Sequence, residues 1–434
     1  MKRVINKILK NDFTKDIGIT TIGQLIAMFL TFVLNKVISI RLGPAQFTEY
    51  SLIHKTASVI TYVMILSLGI ALPRYLAIFR EAKDRKKELV YVKTSLLITL
   101  VSTVVTFAVC IIFKETFASL LFGKDAKYIG FILPTLLLSL QIGVTTLLYS
   151  YYRGINDFIK YNASQCIVSV LLILSCFLDS DLLPIVYFMS GFGIVVSIIG
   201  FISIIRKYKK YSVGKSDIHE SSKTLLKYSL PRVPGEFILF SFTLLPMVII
   251  NQRIGLERAA GYSAALGILT AVTPLYRYIG MVLLPYASKI VVNNDINAIE
   301  NKIKKLSYVY IITSIIEIIA VLLFTKLVII VIYSKKYVVY SNIVRVVSLS
   351  ILPNSLYLLI RNPLDAISKK PINSINLLIS FVIMMIFVYY SNTEFLYALS
   401  FFVGYLVLGI LSFISWIVVK NRFKKRSNKV LEKC

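Results

Sequence analysis

Four cations interrupt the long apolar stretches of this chain: Lys36, Lys55, Arg277 and Arg345. A charge at the centre of a bilayer costs about 2.5–3.5 kcal/mol on insertion scales, so such residues face a polar interior, a partner or the interface. Lys36 and Lys55 fall toward the outer ends of their segments, where snorkelling to the interface and lining a polar route both fit. Arg345 also lies in the outer part of its span. Arg277 is deeper, and Thr270, Thr273 and Gly280 accompany it at three- or four-residue spacing, which sets it toward a polar interior. A guanidinium placed there presents a planar fork of donors that matches an oxyanion.

Acidic groups in these stretches are scarcer. Glu317 stands in Ile315-Ile316-Glu317-Ile318-Ile319, so its carboxyl is either protonated through desolvation or paired with a cation such as Arg345. The first alternative makes it a candidate for coupling to protons; the second makes it structural. Glu236 follows Pro231-Arg232-Val233-Pro234-Gly235 and is a second coupling candidate. Pro231, Pro234 and Gly235 predict a broken or kinked helix entrance, and Pro246 a further bend. An ordinary proline at a helix start explains Pro231 but not Pro246. Thr20, Gln24, Thr31 and Asn35 share one face of the first apolar helix and form a candidate polar lining. The bland reading of the threonines is a bond to their own backbone carbonyls.

Other chemistry is missing from the pattern. There is no phosphate-binding GxxxxGK[ST], no HExxH and no Ser/His/Asp arrangement, and only two histidines occur. Cys110, Cys166, Cys176 and Cys434 lack metal-ligand spacing. No cofactor, metal or catalytic role is expected.

The elements that position these residues follow from composition. The chain has 434 residues, of which 57% are hydrophobic and 16% charged, and its mean hydropathy is +0.77. Soluble domains carry about a quarter charged residues, so this is a membrane protein. Twelve spans are expected, at about residues 17–40, 49–72, 88–112, 128–151, 163–178, 183–205, 229–252, 259–284, 306–332, 338–361, 371–390 and 395–418. With the N-terminus inside, the cytoplasmic segments hold 36 Lys and Arg and the outer loops 9. That asymmetry places both termini in the cytoplasm and accounts for the net charge of +28 without nucleic acid.

The chain also repeats itself. Arg41-Leu42-Gly43, Tyr50-Ser51 and Leu72-Pro73 return 212 positions later as Arg253-Ile254-Gly255, Tyr262-Ser263 and Leu284-Pro285. Lys15/Lys227, Gly23/Gly235, Ile26/Ile238, Thr31/Thr243 and Thr61/Thr273 keep the same offset. The expected architecture is therefore all-α: twelve transmembrane helices in two parallel six-helix pseudo-repeats around a central cavity. Residues 1–205 form the N-terminal lobe, 206–228 a cytoplasmic linker, 229–418 the C-terminal lobe and 419–434 a basic cytoplasmic tail.

Arg41-Leu42-Gly43-Pro44, Phe47, Tyr50-Ser51-Leu52 and Leu68-Gly69-Ile70-Ala71-Leu72-Pro73-Arg74-Tyr75 together resemble the start of the Wzx-type polysaccharide and O-antigen flippases. Tyr152-Arg153-Gly154 and Tyr228-Ser229-Leu230-Pro231 are similar to that family too. The group shares a superfamily with the multidrug and toxin extrusion transporters. Many members carry an acidic–basic pair late in span 7, where this chain reads Leu245-Pro246-Met247. A coupling carboxylate is therefore not implied at that place.

The resemblance implies a flippase in the bacterial cytoplasmic membrane. It would move undecaprenyl-pyrophosphate-linked oligosaccharide to the outer leaflet for capsule, exopolysaccharide or O-antigen assembly. Arg277, Arg345, Lys36 and Lys55 would meet the diphosphate, and Thr20, Gln24, Thr31 and Asn35 the sugar hydroxyls. Expected partners are membrane lipids and the polymerase and glycosyltransferases of the same pathway. The competing expectations are a cation-coupled multidrug-type exporter and a non-transporting scaffold of a polysaccharide assembly complex.

Overall fold

The computed structural model describes residues 12–270, 273, 276, 296–368 and 372–431. Among these residues the regular structure is entirely helical. Among the described residues nine helices are long and apolar enough to cross a bilayer, and the bent pair Lys335–Ser348 and Ile351–Leu364 makes a tenth if it is one span. The twelve-span expectation is compatible with these. One of the nine, Ile22–Met64, is 43 residues long. At 1.5 Å per residue that is about twice a hydrocarbon core of roughly 30 Å. It consists of two helices run together across Gly43, whose φ of 74° and ψ of 179° are not helical. Expected span 8 is described over residues 259–270, 273 and 276, and the rest of it lies outside the described residues.

The chain divides into two compact units, Met1–Leu244 and Leu245–Cys434. In the first unit, α1 (Asp12–Met64) is followed by α2 (Leu68–Glu81), α3 (Arg85–Ile112) and the short α4 (Lys114–Leu121). Then come α5 (Ile132–Gly154), α6 (Phe158–Ser175), α7 (Leu182–Lys207) and α8 (Lys215–Ser229). A 3-10 turn, Leu230–Arg232, leads into α9 (Val233–Ile254), which runs into the second unit. The centre of the first unit is α5, packed on α1, α2 and α7. Buried residues make up 67% of its most apolar stretch but only 22% of that of α3. The open face of α3, with Leu100, Val101, Val104 and Val105 each more than half exposed, suits lipid.

Helix contacts in this unit depend on small residues and on rescued backbone groups. Pro73 inside α2 has no N–H, which deprives the Gly69 carbonyl of its helical partner. Ser150 Oγ (2.9 Å) and Arg153 Nη2 (2.7 Å) donate to that carbonyl instead. One turn on, Gly154 lies so close that a Cβ there would come 2.8 Å from Pro73 Cα. The motif residues Gly69, Pro73, Arg153 and Gly154 are thus one packing joint between α2 and α5. Between α1 and α2 the chain breaks at Leu66 and Ser67, both left-handed with φ of 48° and 56°. Ser102 on α3 donates to the Met64 carbonyl at this break, satisfying a group that lipid cannot.

The segment expected as a linker, residues 206–228, holds all but the last residue of α8, which packs on α3 through Thr94–Ser221 (2.7 Å, both buried) and Lys86–Asp217 (2.9 Å). Asp217 accepts from the Lys86 ammonium and from the Gly214 N–H, and both hold its carboxyl below the usual carboxylate range.

The second unit holds helical residues 256–270 and then α10 (Ile296–Ile332), kinked at Phe324. A 3-10 turn (Lys335–Tyr340), α11 (Ser341–Ser348), α12 (Ile351–Ile367), α13 (Ile372–Tyr390) and α14 (Glu394–Leu431) follow. Its packing is built on α12 and α14, with α10 and α13 alongside.

The duplication seen in the sequence is geometric as well. Arg41 donates to the Asp179 carbonyl (3.1 Å) and lies 5.4 Å from the Phe177 ring centroid. Arg253 donates to the carbonyls of Tyr389 (2.6 Å) and Ser391 (3.4 Å) and lies 5.2 Å from the Tyr389 ring. Asp179 and Ser391, and Phe177 and Tyr389, stand at the same 212-residue offset as the two arginines. Gly43 and Gly255 repeat it with φ of 74° and 91°, a region where a Cβ is penalised.

Candidate functional site

The candidate residues form separate groups within each unit. On α1, Gln24 is buried against α6. Its Nε2 donates to Asn162 Oδ1 (3.2 Å) and Gln165 Oε1 (2.7 Å), and Gln165 donates to the Tyr161 hydroxyl (3.2 Å). Gly23 makes this approach possible, since a Cβ there would come 2.2 Å from Asn162 Cγ. Thr31 is exposed and donates to its own helix, at the Ala27 carbonyl (2.9 Å). Asn35 and Lys36 are half-buried a turn further on. Thr20 is helical, but its side chain is not among those described. Lys55 is half-buried, and its neighbour His54 is exposed, 5.9 Å ring to ring from Tyr50.

In the second unit, Glu317 on α10 is half-buried and accepts the Tyr276 hydroxyl at 2.6 Å. Ser314, one turn earlier, donates to the same hydroxyl (3.2 Å) and bonds Ser355 of α12 (2.8 Å). The Tyr310 hydroxyl donates to the Tyr276 carbonyl (2.7 Å). Asn354 beside Ser355 reaches Thr273 Oγ1 at 3.5 Å. Glu317 therefore sits in a neutral hydroxyl cluster, and among the described residues it has no ion pair. A tyrosine hydroxyl can donate to a carboxylate or accept from a carboxyl, so this cluster serves either protonation state.

Arg345 on α11 lies apart from Glu317 in its bonding. Its Nε donates to Thr325 Oγ1 (3.0 Å), one residue past the α10 kink, and its Nη1 to Asn342 Oδ1 (3.5 Å). Both partners are neutral, so the half-buried guanidinium keeps its charge uncompensated among the described residues. Arg277, the deepest of the expected cations, lies outside the described residues, as does Gly280. Pro231 sits in the 3-10 turn between α8 and α9, Pro234 and Gly235 in the first turn of α9, and Pro246 inside it. Glu236 is buried in that first turn.

Sequence reasoning missed a group at the end of the first unit where α8 meets α9, next to Pro231. Tyr228 at the end of α8 carries two guanidinium groups over its ring: Arg74 at 4.4 Å and Arg232 at 3.7 Å from the centroid. Tyr75, Tyr91 and Phe79 continue the aromatic surface, with Tyr75 at 5.9 Å from Tyr228. Arg74 and Tyr228 were visible only as parts of separate motifs. Nearby, Glu88 is wholly buried between Arg85 (3.0 Å), Arg80 (3.5 Å) and the Tyr208 hydroxyl (2.6 Å).

This arrangement of helices is the fold of the multidrug and toxin extrusion (MATE) transporters. A solved inward-facing multidrug resistance MATE family transporter of the MOP superfamily superposes with a TM-score of 0.75 at 13% identity, covering 92% of this chain and 96% of the other. A eukaryotic MATE transporter gives 0.68 at 14% identity, covering 95% and 98%. A MOP superfamily transporter from Pyrococcus furiosus, described as having a binding pocket of reverse polarity, gives 0.62 at 14%, covering 97% of each chain. Residues 13–291, more than half of the chain, match the family described as polysaccharide biosynthesis protein, and the chain belongs to that family. Comparison with curated protein sequences gave no match.

Proposed function

We propose that this protein is a flippase that carries undecaprenyl-pyrophosphate-linked oligosaccharide from the cytoplasmic to the outer leaflet of a bacterial cytoplasmic membrane. The carrying observation is membership of the polysaccharide biosynthesis family on a chain whose fold is that of transporters. A lipid-linked glycan has an anionic diphosphate that cannot enter hydrocarbon without compensating charge. Arg345, whose partners are neutral, supports such a role, and Arg277, Lys36 and Lys55 are the further cations proposed for the route. Alternating access between the two halves is the proposed mechanism. Glu317 and Glu236 are the proposed coupling groups, and Pro231, Pro234, Gly235 and Pro246 the proposed hinge. The excess of cationic residues in the expected inner loops supports cytoplasmic termini.

The second reading is a multidrug-type exporter, favoured by the likeness to solved multidrug transporters. That likeness is one of fold. The fold is not tied to one pocket polarity, as the Pyrococcus furiosus relative illustrates. Cationic drugs call for acidic pockets, whereas the residues within these spans lean basic.

A leaflet assay in a deletion strain separates the readings. Lipid-linked repeat units accumulate facing the cytoplasm if the protein is the flippase. Unaltered sidedness together with raised sensitivity to cationic drugs would establish the exporter instead.

A further inference from the structure

Tyr228 is a half-buried ring packed against the core of the first unit, and two guanidinium groups meet on it. Arg74 and Arg232 are both exposed, and their guanidinium carbons lie within about 8 Å of each other through the ring they share. Arg232 is held in place by its own turn, donating from Nη1 to the Tyr228 carbonyl (2.5 Å). Several neighbouring cations, by contrast, are matched with acids. Arg80 and Arg85 pair with Glu88, Lys86 with Asp217 and Lys87 with Asp84. Arg74 and Arg232 have no carboxylate within ion-pair distance among the described residues. Two like charges gathered on one ring without an acid are an arrangement that an anion completes, and two planar forks suit a group with several oxyanion oxygens. The aromatic surface excludes water from one side of them and strengthens the attraction.

We propose that Arg74 and Arg232, seated on Tyr228, form a clamp for a diphosphate at the cytoplasmic surface of the first unit. It is distinct from the cations within the spans. The assignment of the diphosphate to a lipid-linked cargo rests on the flippase reading above. The clamp captures the headgroup at the membrane surface, before any route through the protein is entered. Tyr75, beside Tyr228, extends the surface on which the group attached to the diphosphate rests.

The test uses the full-length protein in phosphatidylcholine nanodiscs and farnesyl diphosphate as probe, with farnesyl monophosphate alongside. Saturable binding of the diphosphate is expected, tighter than that of the monophosphate. It should weaken at least about tenfold in Arg74→Gln/Arg232→Gln and by a smaller factor in Arg74→Lys/Arg232→Lys, which keeps the charge and loses the forks. Elution volume and helicity report folding of both variants. Equal affinity of parent and glutamine variant, or no saturable binding by the parent, overturns the clamp. A second arm replaces part of the phosphatidylcholine with phosphatidylglycerol. Loss of diphosphate binding in that arm overturns the assignment to a diphosphate in favour of bilayer phosphates. Because binding is read without transport, the clamp and the flippase reading fail separately: unaltered glycan sidedness in the deletion strain removes the second and leaves the first standing.

Discussion

The Tyr276 hydroxyl donates to Glu317 Oε2 across 2.6 Å and itself receives Ser314 Oγ at 3.2 Å. A carboxyl set among isoleucines is thus matched by a donor that has no charge. A cation in the same place would fix the carboxylate ionised, whereas a hydroxyl can follow the proton either way. This is the chemistry a coupling group needs, and it leads to a pair of variants with different outcomes. Tyr276→Phe leaves the carboxyl without its shortest partner and should destabilise the protein by about 1–3 kcal/mol, read as thermal unfolding in detergent. Glu317→Gln keeps an acceptor for Tyr276 and should unfold within about 1 kcal/mol of the parent, since the hydrogen bond survives and only its charge is lost. If Glu317 carries the coupling proton, export by the glutamine variant falls at least tenfold with normal membrane insertion. Normal, gradient-dependent export by that variant would leave Glu317 a structural residue.

The repeat was legible because its landmarks are residues the backbone demands. Gly43 and Gly255 occupy positive φ, and Arg41 and Arg253 close onto equivalent carbonyls. Such constraints act locally and leave the same letters at the same spacing. Helical periodicity also placed Gln24 correctly on a face, but not against its neighbours. Asn162 and Gln165 come from a helix 138 and 141 residues away, and nothing in the α1 pattern points to them. Glu317 shows the same limit. Charge complementarity suggests an arginine as partner, and among the described residues the partner is a tyrosine hydroxyl, because a half-buried carboxyl accepts from whichever donor the packing brings close. The Arg74 and Arg232 stack was illegible for a further reason: a cation in an inner loop looks like topology alone until its ring is seen.

The joint between α2 and α5 explains why Tyr152-Arg153-Gly154 accompanies Leu72-Pro73. Gly154 leaves no room for a methyl group, since the nearest atoms to its Cβ position are Leu76 Cβ and the Pro73 backbone, both at 2.8 Å. Backbone cannot swing aside as a side-chain end can. Gly154→Ala should therefore cost about 1–3 kcal/mol as overpacking. Gly191→Ala is the matched control: it is exposed on the outer face of α7, with nothing within 4 Å of its Cβ position. There the better helix propensity of alanine should leave stability unchanged or raise it by up to about 1 kcal/mol. Equal thermal shifts for the two variants would show that α2 and α5 do not meet at Gly154.

Arg41 and Arg253 test whether the duplicated halves use their shared landmark in the same way. Each guanidinium is exposed, bonds a carbonyl in the turn after α6 or α13, the fifth expected span of its half, and stacks on an aromatic ring two residues earlier. An exposed cation–π contact contributes about 0.5–1 kcal/mol and a hydrogen bond a similar net amount. Neither alanine variant should unfold the protein, yet each should loosen its own turn. Limited proteolysis of the purified protein reads this directly. Arg41→Ala should speed cleavage between Cys176 and Asp181 and leave the turn around Ser391 unchanged, while Arg253→Ala should do the reverse. Lysine in either place restores the charge but not the fork, so partial protection is expected. The two effects should also add in the double variant, because the turns lie in separate compact units with no partner in common. Cleavage at both turns in a single variant would mean that the arginines act on the stability of the whole chain rather than on the turns they touch.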